Sequence, residues 1–312
     1  MTTFDPARRQ AIHSLAAASA GALMWRALPA LAGQTKMLTR PIPRSGEALP
    51  VIGLGTSETF DFDAHGDADT RKAAADTLRA FFDAGLTVID TSPMYGRAEA
   101  VLGELLAETD PTHRAFIATK VWTTGADAGR KQIDDSFRLL RRERIDLIQV
   151  HNLVDVDTQL ATLQQMKRDG RIRYVGVTSS RDPAHADLVK QIERGALDFV
   201  QVNYSLTERA AEKTVLPAAA ANRVAVLVNR PYSRAGLFDR VKGRPLPAIA
   251  AEIGATSWAQ FALKWIISNP AVTCVIPGTN NPKHMLDNIG AGIGTMPDAA
   301  MRERMAREFE SI

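Results

Sequence analysis

Polar residues stand where three short apolar runs end: Asp90 in VIDTSPMYGRAE, with Tyr95 five residues later in its loop, Lys120 in FIATKVW and His151 in DLIQVHN. Singly, each has an ordinary explanation. Asp90 could satisfy turn amides, Lys120 could reach water, and His151 could be a hydrogen-bonded core histidine. Together, an acid, a phenol, an ammonium and an imidazole form a set that can move a proton. A free phenol titrates near about 10, and a neighbouring ammonium stabilises phenolate and lowers that value. Lys120 is expected to act on Tyr95 in this way, with Asp90 keeping the lysine charged and His151 orienting a substrate oxygen. A tuned general acid contributes about 10²- to 10⁴-fold in rate. Hydrogen bonds from Tyr95 and His151 to one carbonyl oxygen would also stabilise developing alkoxide charge.

The elements that must position these groups are legible as alternating patterns. Apolar, β-branched runs occur at 51–54, 86–89, 115–119, 146–150, 172–177, 198–202, 224–228 and 272–276. Continuous rather than alternating runs suit strands covered on both faces. Helical patterns lie between them. One stripe carries Ala74, Leu78 and Phe81 and stops at Gly85; another carries Leu160, Leu163 and Met166 and stops at Gly170. Ile133, Phe137 and Leu140 share a third face. TSWAQFALKWIISNP is expected to be an amphipathic helix, capped by Thr256 or Ser257 and stopped by Pro270. In NNPKHMLDN, Asn281 is the expected N-cap, with Pro282 at the first helical position.

Eight strands alternating with helices imply parallel pairing in the α/β class. GLGTSE lacks the remaining glycines of a dinucleotide-type turn, so strand count and length favour a (β/α)8 TIM barrel over a doubly wound sheet. The segment MLTRPIPRSGEALP is expected to form a hairpin that closes the bottom of the barrel. In such barrels the active site forms at the C-terminal mouths of the strands. There the sequence places Gly55, Thr56 and Ser57, then Thr178, Ser179 and Ser180. Gln201, Asn203, Asn229 and Arg230 follow, and last Gly278, Thr279 and Asn280.

The chain has 312 residues, 45% hydrophobic and 23% charged, an ordinary globular balance. Its net charge is +3, of which residues 1–32 supply +2. The near-neutral remainder gives no electrostatic reason to expect a nucleic-acid partner. The single cysteine, Cys274, cannot form an internal disulfide and sits in an apolar run. No metal site is expected.

GLTVIDTSPMYGRAE, FIATKVW, DLIQVHN, IRYVGVTSS, VQVNYS and VIPGTNNPKHMLDN, in this order and spacing, resemble the aldo-keto reductases over roughly residues 38 to 300. The resemblance implies an eight-stranded β/α barrel that reduces a small-molecule aldehyde or ketone with NADP as cofactor, NAD being the alternative. It places the family's catalytic tetrad on Asp90, Tyr95, Lys120 and His151. Thr178 and Ser179 fall on the pair that holds the nicotinamide carboxamide, and Gln201 on the family's glutamine at that group. By the same resemblance Arg230 faces the pyrophosphate, while Thr279, Asn280, His284 and Asn288 surround the adenosine phosphate. Gly55 and Thr56 complete the cofactor set. Trp122, Ser57 and Asn152 fall on the substrate pocket. Asn229 stands where many members place an aromatic ring, and Ser57 and Asn152 where many carry tryptophan. His284 replaces a frequent arginine and Gly278 a frequent lysine.

Two other readings use the same residues. Lys120 at a strand end could form a Schiff base with a carbonyl substrate, and the barrel could be a non-catalytic nicotinamide-binding partner subunit. The N-terminal stretch has Arg8-Arg9, an Ala-rich apolar segment and the small-residue site Ala30-Leu31-Ala32. It resembles a twin-arginine export signal. The expected organisation is a cleavable signal over 1–32 that engages the twin-arginine export machinery, a single barrel domain over 33–312, and a periplasmic or exported product with no membrane association after signal removal. A cytoplasmic protein is the alternative.

Overall fold

The computed structural model describes residues 36–312. The expected export signal, with Arg8-Arg9 and its cleavage site, lies outside the described residues. The described chain opens with an antiparallel hairpin, β1 (Thr39–Pro41) and β2 (Ala48–Pro50), in which Thr39 pairs with Pro50. Eight parallel strands follow: β3 (Leu54–Gly55), β4 (Val88–Asp90), β5 (Phe116–Val121), β6 (Ile145–His151), β7 (Ile172–Ser179), β8 (Phe199–Asn203), β9 (Ala225–Asn229) and β10 (Cys274–Val275). Each strand pairs with the next in sequence from β3 to β10. Parallel bridges Ile52–Val275 and Gly55–Gly278 join the ends of the sheet. The backbone amides of Gly53 and Gly55 reach the carbonyls of Val275 and Pro277 across this seam, and the sheet becomes a barrel. The seam needs glycine: a Cβ on Gly55 would stand 2.8 Å from the Ile276 carbonyl oxygen.

All eight expected strands are present, with boundaries displaced by at most three residues. Several extend further toward their C-terminal ends than their apolar runs. Lys120, His151, Ser179 and Asn229 are strand residues rather than loop residues. Parallel pairing continues past the last apolar position because it uses backbone groups, which polar side chains do not disturb. Lys120 pairs with Gln149, and His151 with Thr178. The polar set therefore sits on rigid strand ends.

The helices that concern the site are α1 (Ala68–Asp83), α2 (Ala98–Thr109), α3 (Ala126–Leu140), α4 (Val156–Arg168), α5 (His185–Glu193), α6 (Val215–Ala221), α7 (Gly236–Val241), α8 (Ile249–Glu252), α9 (Trp258–Ile267), α10 (Pro282–Ala291) and α11 (Ala299–Glu310). The expected stripes face inward: Ala74, Leu78 and Phe81 of α1, Ile133, Phe137 and Leu140 of α3, and Leu160, Leu163 and Met166 of α4 are buried. Helix α9 differs from its expected amphipathic pattern, for Ala259 through Ile267 are all buried. Its polar face is covered rather than solvated. Gln260 bonds Asp287 of α10, Lys264 donates to the carbonyls of Ile293 and Thr295, and the Trp265 indole donates to the Arg302 carbonyl of α11.

Inside the barrel a second apolar cluster includes Val88, Phe116, Leu147, Tyr174, Phe199, Leu227 and Cys274. Ile42 and Leu49 of the hairpin join it, so the hairpin closes the end opposite the polar strand ends, as the sequence suggested. The rings of Phe116, Tyr174 and Phe199 pack with centroids 5.5–5.9 Å apart. Among the described residues no helix is long and apolar enough to cross a membrane.

Candidate active site

Asp90 ends β4, and Lys120 stands one residue before the end of β5. Their side chains are 3% and 0% exposed, and Lys120 Nζ lies 2.6 Å from Asp90 Oδ1. The ammonium also donates to the Thr91 carbonyl at 2.7 Å. The other carboxylate oxygen of Asp90 accepts from the Gln201 amide at 2.8 Å and from Gln149 at 3.4 Å. Burial alone pushes a lysine toward its neutral form. Here attraction to Asp90, followed by the nearby phenol, outweighs it and raises the Lys120 pKa. An ammonium held in its charged form is a poor amine nucleophile, which weighs against the Schiff-base reading.

Tyr95 lies on the loop between β4 and α2. Its amide donates to the Ser92 carbonyl, and its carbonyl accepts from Ala98 at the start of the helix. The next residue, Gly96, has φ +58, and a Cβ there would fall 2.3 Å from the Asp61 carboxylate. That carboxylate accepts from the Arg97 amide and clamps the loop. Lys120 Nζ stands 4.8 Å from the centre of the Tyr95 ring. The expected electrostatic effect is present but is not dominant. Burial raises the phenol pKa, Lys120 pulls it down, Asp90 pushes it up, and the net direction is upward. The resting phenol is thus held protonated, contrary to the expectation of a lowered value. Sequence could show the cation but not the desolvation.

The ring of His151 meets that of Tyr95 edge-on, at 88° and 6.4 Å, and lies 6.3 Å from Trp122. Burial, with Lys120 adding to it, lowers the His151 pKa to about 3. At neutral pH the imidazole is therefore uncharged. A neutral phenol and a neutral imidazole at one mouth can both donate a hydrogen bond to a carbonyl oxygen.

These groups open into a cavity of about 920 Å³, large enough for a cofactor and a small substrate. Asp90, Tyr95 and His151 line it, and Lys120 is buried behind them. Of the residues anticipated for a cofactor, Gly55, Thr178, Gln201, Arg230, Thr279, His284 and Asn288 also line it. Thr56 does not: it is fully buried and donates to the Asp90 carbonyl. The Asn280 amide is engaged by the Thr59 carbonyl, and Ser179 is buried and does not line the cavity. Arg230 donates to the Ser180 carbonyl and pairs with Glu208 at 3.1 Å. Of the expected substrate-pocket residues Ser57 lines the cavity, Trp122 is 40% exposed beside His151, and Asn152 is held by its backbone to Thr178.

Sequence reasoning missed Tyr232 on the loop after β9, Phe238 on α7, Trp258 at the start of α9, and Asp287 on α10, all of which line the cavity. The Tyr232 hydroxyl donates to Asn288 at 2.6 Å. The aromatic spacing of Tyr232 and Phe238 was visible, but it carried no period that separates a cavity wall from core.

The lining residues suit a dinucleotide. Asn281 caps α10 by accepting from the Lys283 amide, and Pro282 occupies its first turn, so free helix amides stand beside Thr279. At the barrel-centre side Asn229 Oδ1 is buried without a hydrogen-bond partner among the described residues, and so is Ser179 Oγ on the neighbouring strand. Buried polar atoms are normally paired, and Asn229 Oδ1 offers an acceptor to an amide.

Comparison with known proteins agrees with this geometry. Residues 51–303 match the aldo/keto reductase family. The methylglyoxal reductase YeaE of Escherichia coli K12 is 31% identical over 263 residues, covering 81% of this chain and 89% of the relative. A solved aldo/keto reductase from Klebsiella pneumoniae in complex with NADP and acetate superimposes with a TM-score of 0.72 at 26% identity, covering 85% of this chain and 93% of that one. A second Klebsiella pneumoniae structure, with NADPH, gives 0.73 at 25% identity, covering 88% and 96%.

Proposed function

This chain belongs to the aldo/keto reductase family, and on that premise we propose that Tyr95 is the proton donor in its NAD(P)H-dependent reduction of an aldehyde or ketone. Reduced nicotinamide, when bound, supplies the hydride. The protein supplies the proton and the place for the negative charge. Tyr95 and neutral His151 hold the carbonyl oxygen from two sides. As the phenol gives up its proton, the Lys120 ammonium stabilises the phenolate. Asp90 keeps that ammonium charged in a site where burial would otherwise neutralise it. The observation that carries this reading is the Lys120 ammonium set between the Asp90 carboxylate at 2.6 Å and the Tyr95 ring at 4.8 Å.

The test is consumption of NADPH, with NADH alongside, against a panel of small aldehydes and ketones. Methylglyoxal belongs in the panel because a relative is named for reducing it. Tyr95→Phe is expected to lower kcat about 10²- to 10⁴-fold while leaving cofactor binding intact. Equal turnover before and after that change would remove Tyr95 from the reaction and favour the reading as a non-catalytic nicotinamide-binding subunit.

The site of action is proposed to be outside the cytoplasm. Arg8-Arg9 and Ala30-Leu31-Ala32 support a twin-arginine signal over 1–32. That route carries folded proteins, so a nucleotide acquired in the cytoplasm could travel with the enzyme. Fractionation with antibody detection tests it; full-length protein found only in the cytosol would exclude export.

A further inference from the structure

The negative charge of Asp90 fixes a sequence of hydrogen-bond directions that ends at the cavity wall. Asp90 Oδ2 can only accept, so Gln201 turns its Nε2 toward it, at 2.8 Å. The Gln201 oxygen must then face the other way, where it accepts from the Thr178 hydroxyl at 3.1 Å and from Asn229 Nδ2 at 3.2 Å. Asn229 Nδ2 also points to the Ser179 carbonyl at 3.4 Å. Both partners of Nδ2 are acceptors, so flipping the amide would set oxygen against oxygen. Asn229 Oδ1 is left as a buried acceptor with no partner among the described residues, on a side chain that lines the cavity.

We propose that Asn229 is a specificity-determining cofactor contact: its Oδ1 accepts an N–H from the primary carboxamide of the nicotinamide, at a polarity imposed through Gln201 by Asp90. This rests on the reading of the cavity as a nicotinamide site, and it assigns to an asparagine of this chain the selection of an amide over groups that cannot donate.

The experiment compares binding of oxidised NADP with that of its 3-acetylpyridine analogue by calorimetry. The analogue keeps the carbonyl oxygen and lacks the N–H donors. Wild-type protein is expected to bind the carboxamide about fivefold or more tightly, as one net hydrogen bond of about 1 kcal/mol requires. Asn229→Ala is expected to bring the ratio close to one. An undiminished ratio in Asn229→Ala, or wild-type protein that binds the two ligands equally, overturns the assignment of Asn229 while leaving the reductase reading in place. The wild-type comparison stands even if the alanine variant does not fold. Wild-type protein that binds neither ligand overturns both.

Discussion

Lys120 and Asp90 form an ion pair at 2.6 Å with almost no exposed side-chain surface on either partner. Such a pair is strongly coupled: removing one member leaves an uncompensated buried charge. Asp90→Asn is therefore expected to destabilise the barrel by about 3–5 kcal/mol and to lower the pH at which Lys120 loses its proton. Chemical denaturation measures the first effect. The second appears as reductase activity lost more severely at high pH than at low pH. A variant with wild-type stability and an unchanged pH profile would show that the pair is not the support of the site.

The acid–base groups set an unusual pH profile. His151 is held neutral down to about pH 3, and the Tyr95 phenol is shifted upward. Reduction requires the protonated phenol, so kcat/KM for reduction should fall only above the ordinary phenol range. No inflection from His151 is expected between pH 5 and 8. An acidic limb near pH 6 to 7 that disappears in His151→Gln would contradict the neutral imidazole.

Gly96 predicts a localised failure. An added Cβ would meet the Asp61 carboxylate and would sit on a backbone of positive φ. Gly96→Ala is expected to cost about 1–3 kcal/mol and to lower kcat through displacement of Tyr95. Asp61→Gly added to Gly96→Ala should recover part of the stability, since it removes the clash though not the strain. Failure of the double variant to improve on the single one, in thermal unfolding, would place the constraint elsewhere.

Lys264 makes stability depend on pH at the alkaline end. It is buried, its ammonium bonds among the described residues only to the carbonyls of Ile293 and Thr295, and burial lowers its pKa to about 8. The unfolded chain keeps this proton up to the ordinary lysine value, so between about pH 8 and 10 it binds more protons than the folded one. Stability from this group therefore rises with pH across that window and is constant below it, by on the order of 2–3 kcal/mol in all. Denaturation of wild type and Lys264→Met at pH 7.5 and 9.5 isolates the effect. A difference between the two proteins that does not change with pH would disprove it.

The sequence by itself determined the barrel and its polar mouth, because both are written in local order. Apolar runs alternate with capped helical stripes, and a polar residue follows each run, so strand count, direction and the identity of Asp90, Tyr95, Lys120 and His151 could be read one segment at a time. Asn281 and Pro282 marked the start of α10 for the same reason. Only the tertiary structure decided which charges win. The upward shift of Tyr95, the neutral His151 and the buried polar face of α9 all depend on how much water neighbouring elements exclude, and exclusion is a sum over residues far apart in the chain. The direction of the Asn229 amide is of that kind too: it follows from Asp90 through Gln201, across three strands that no local pattern connects.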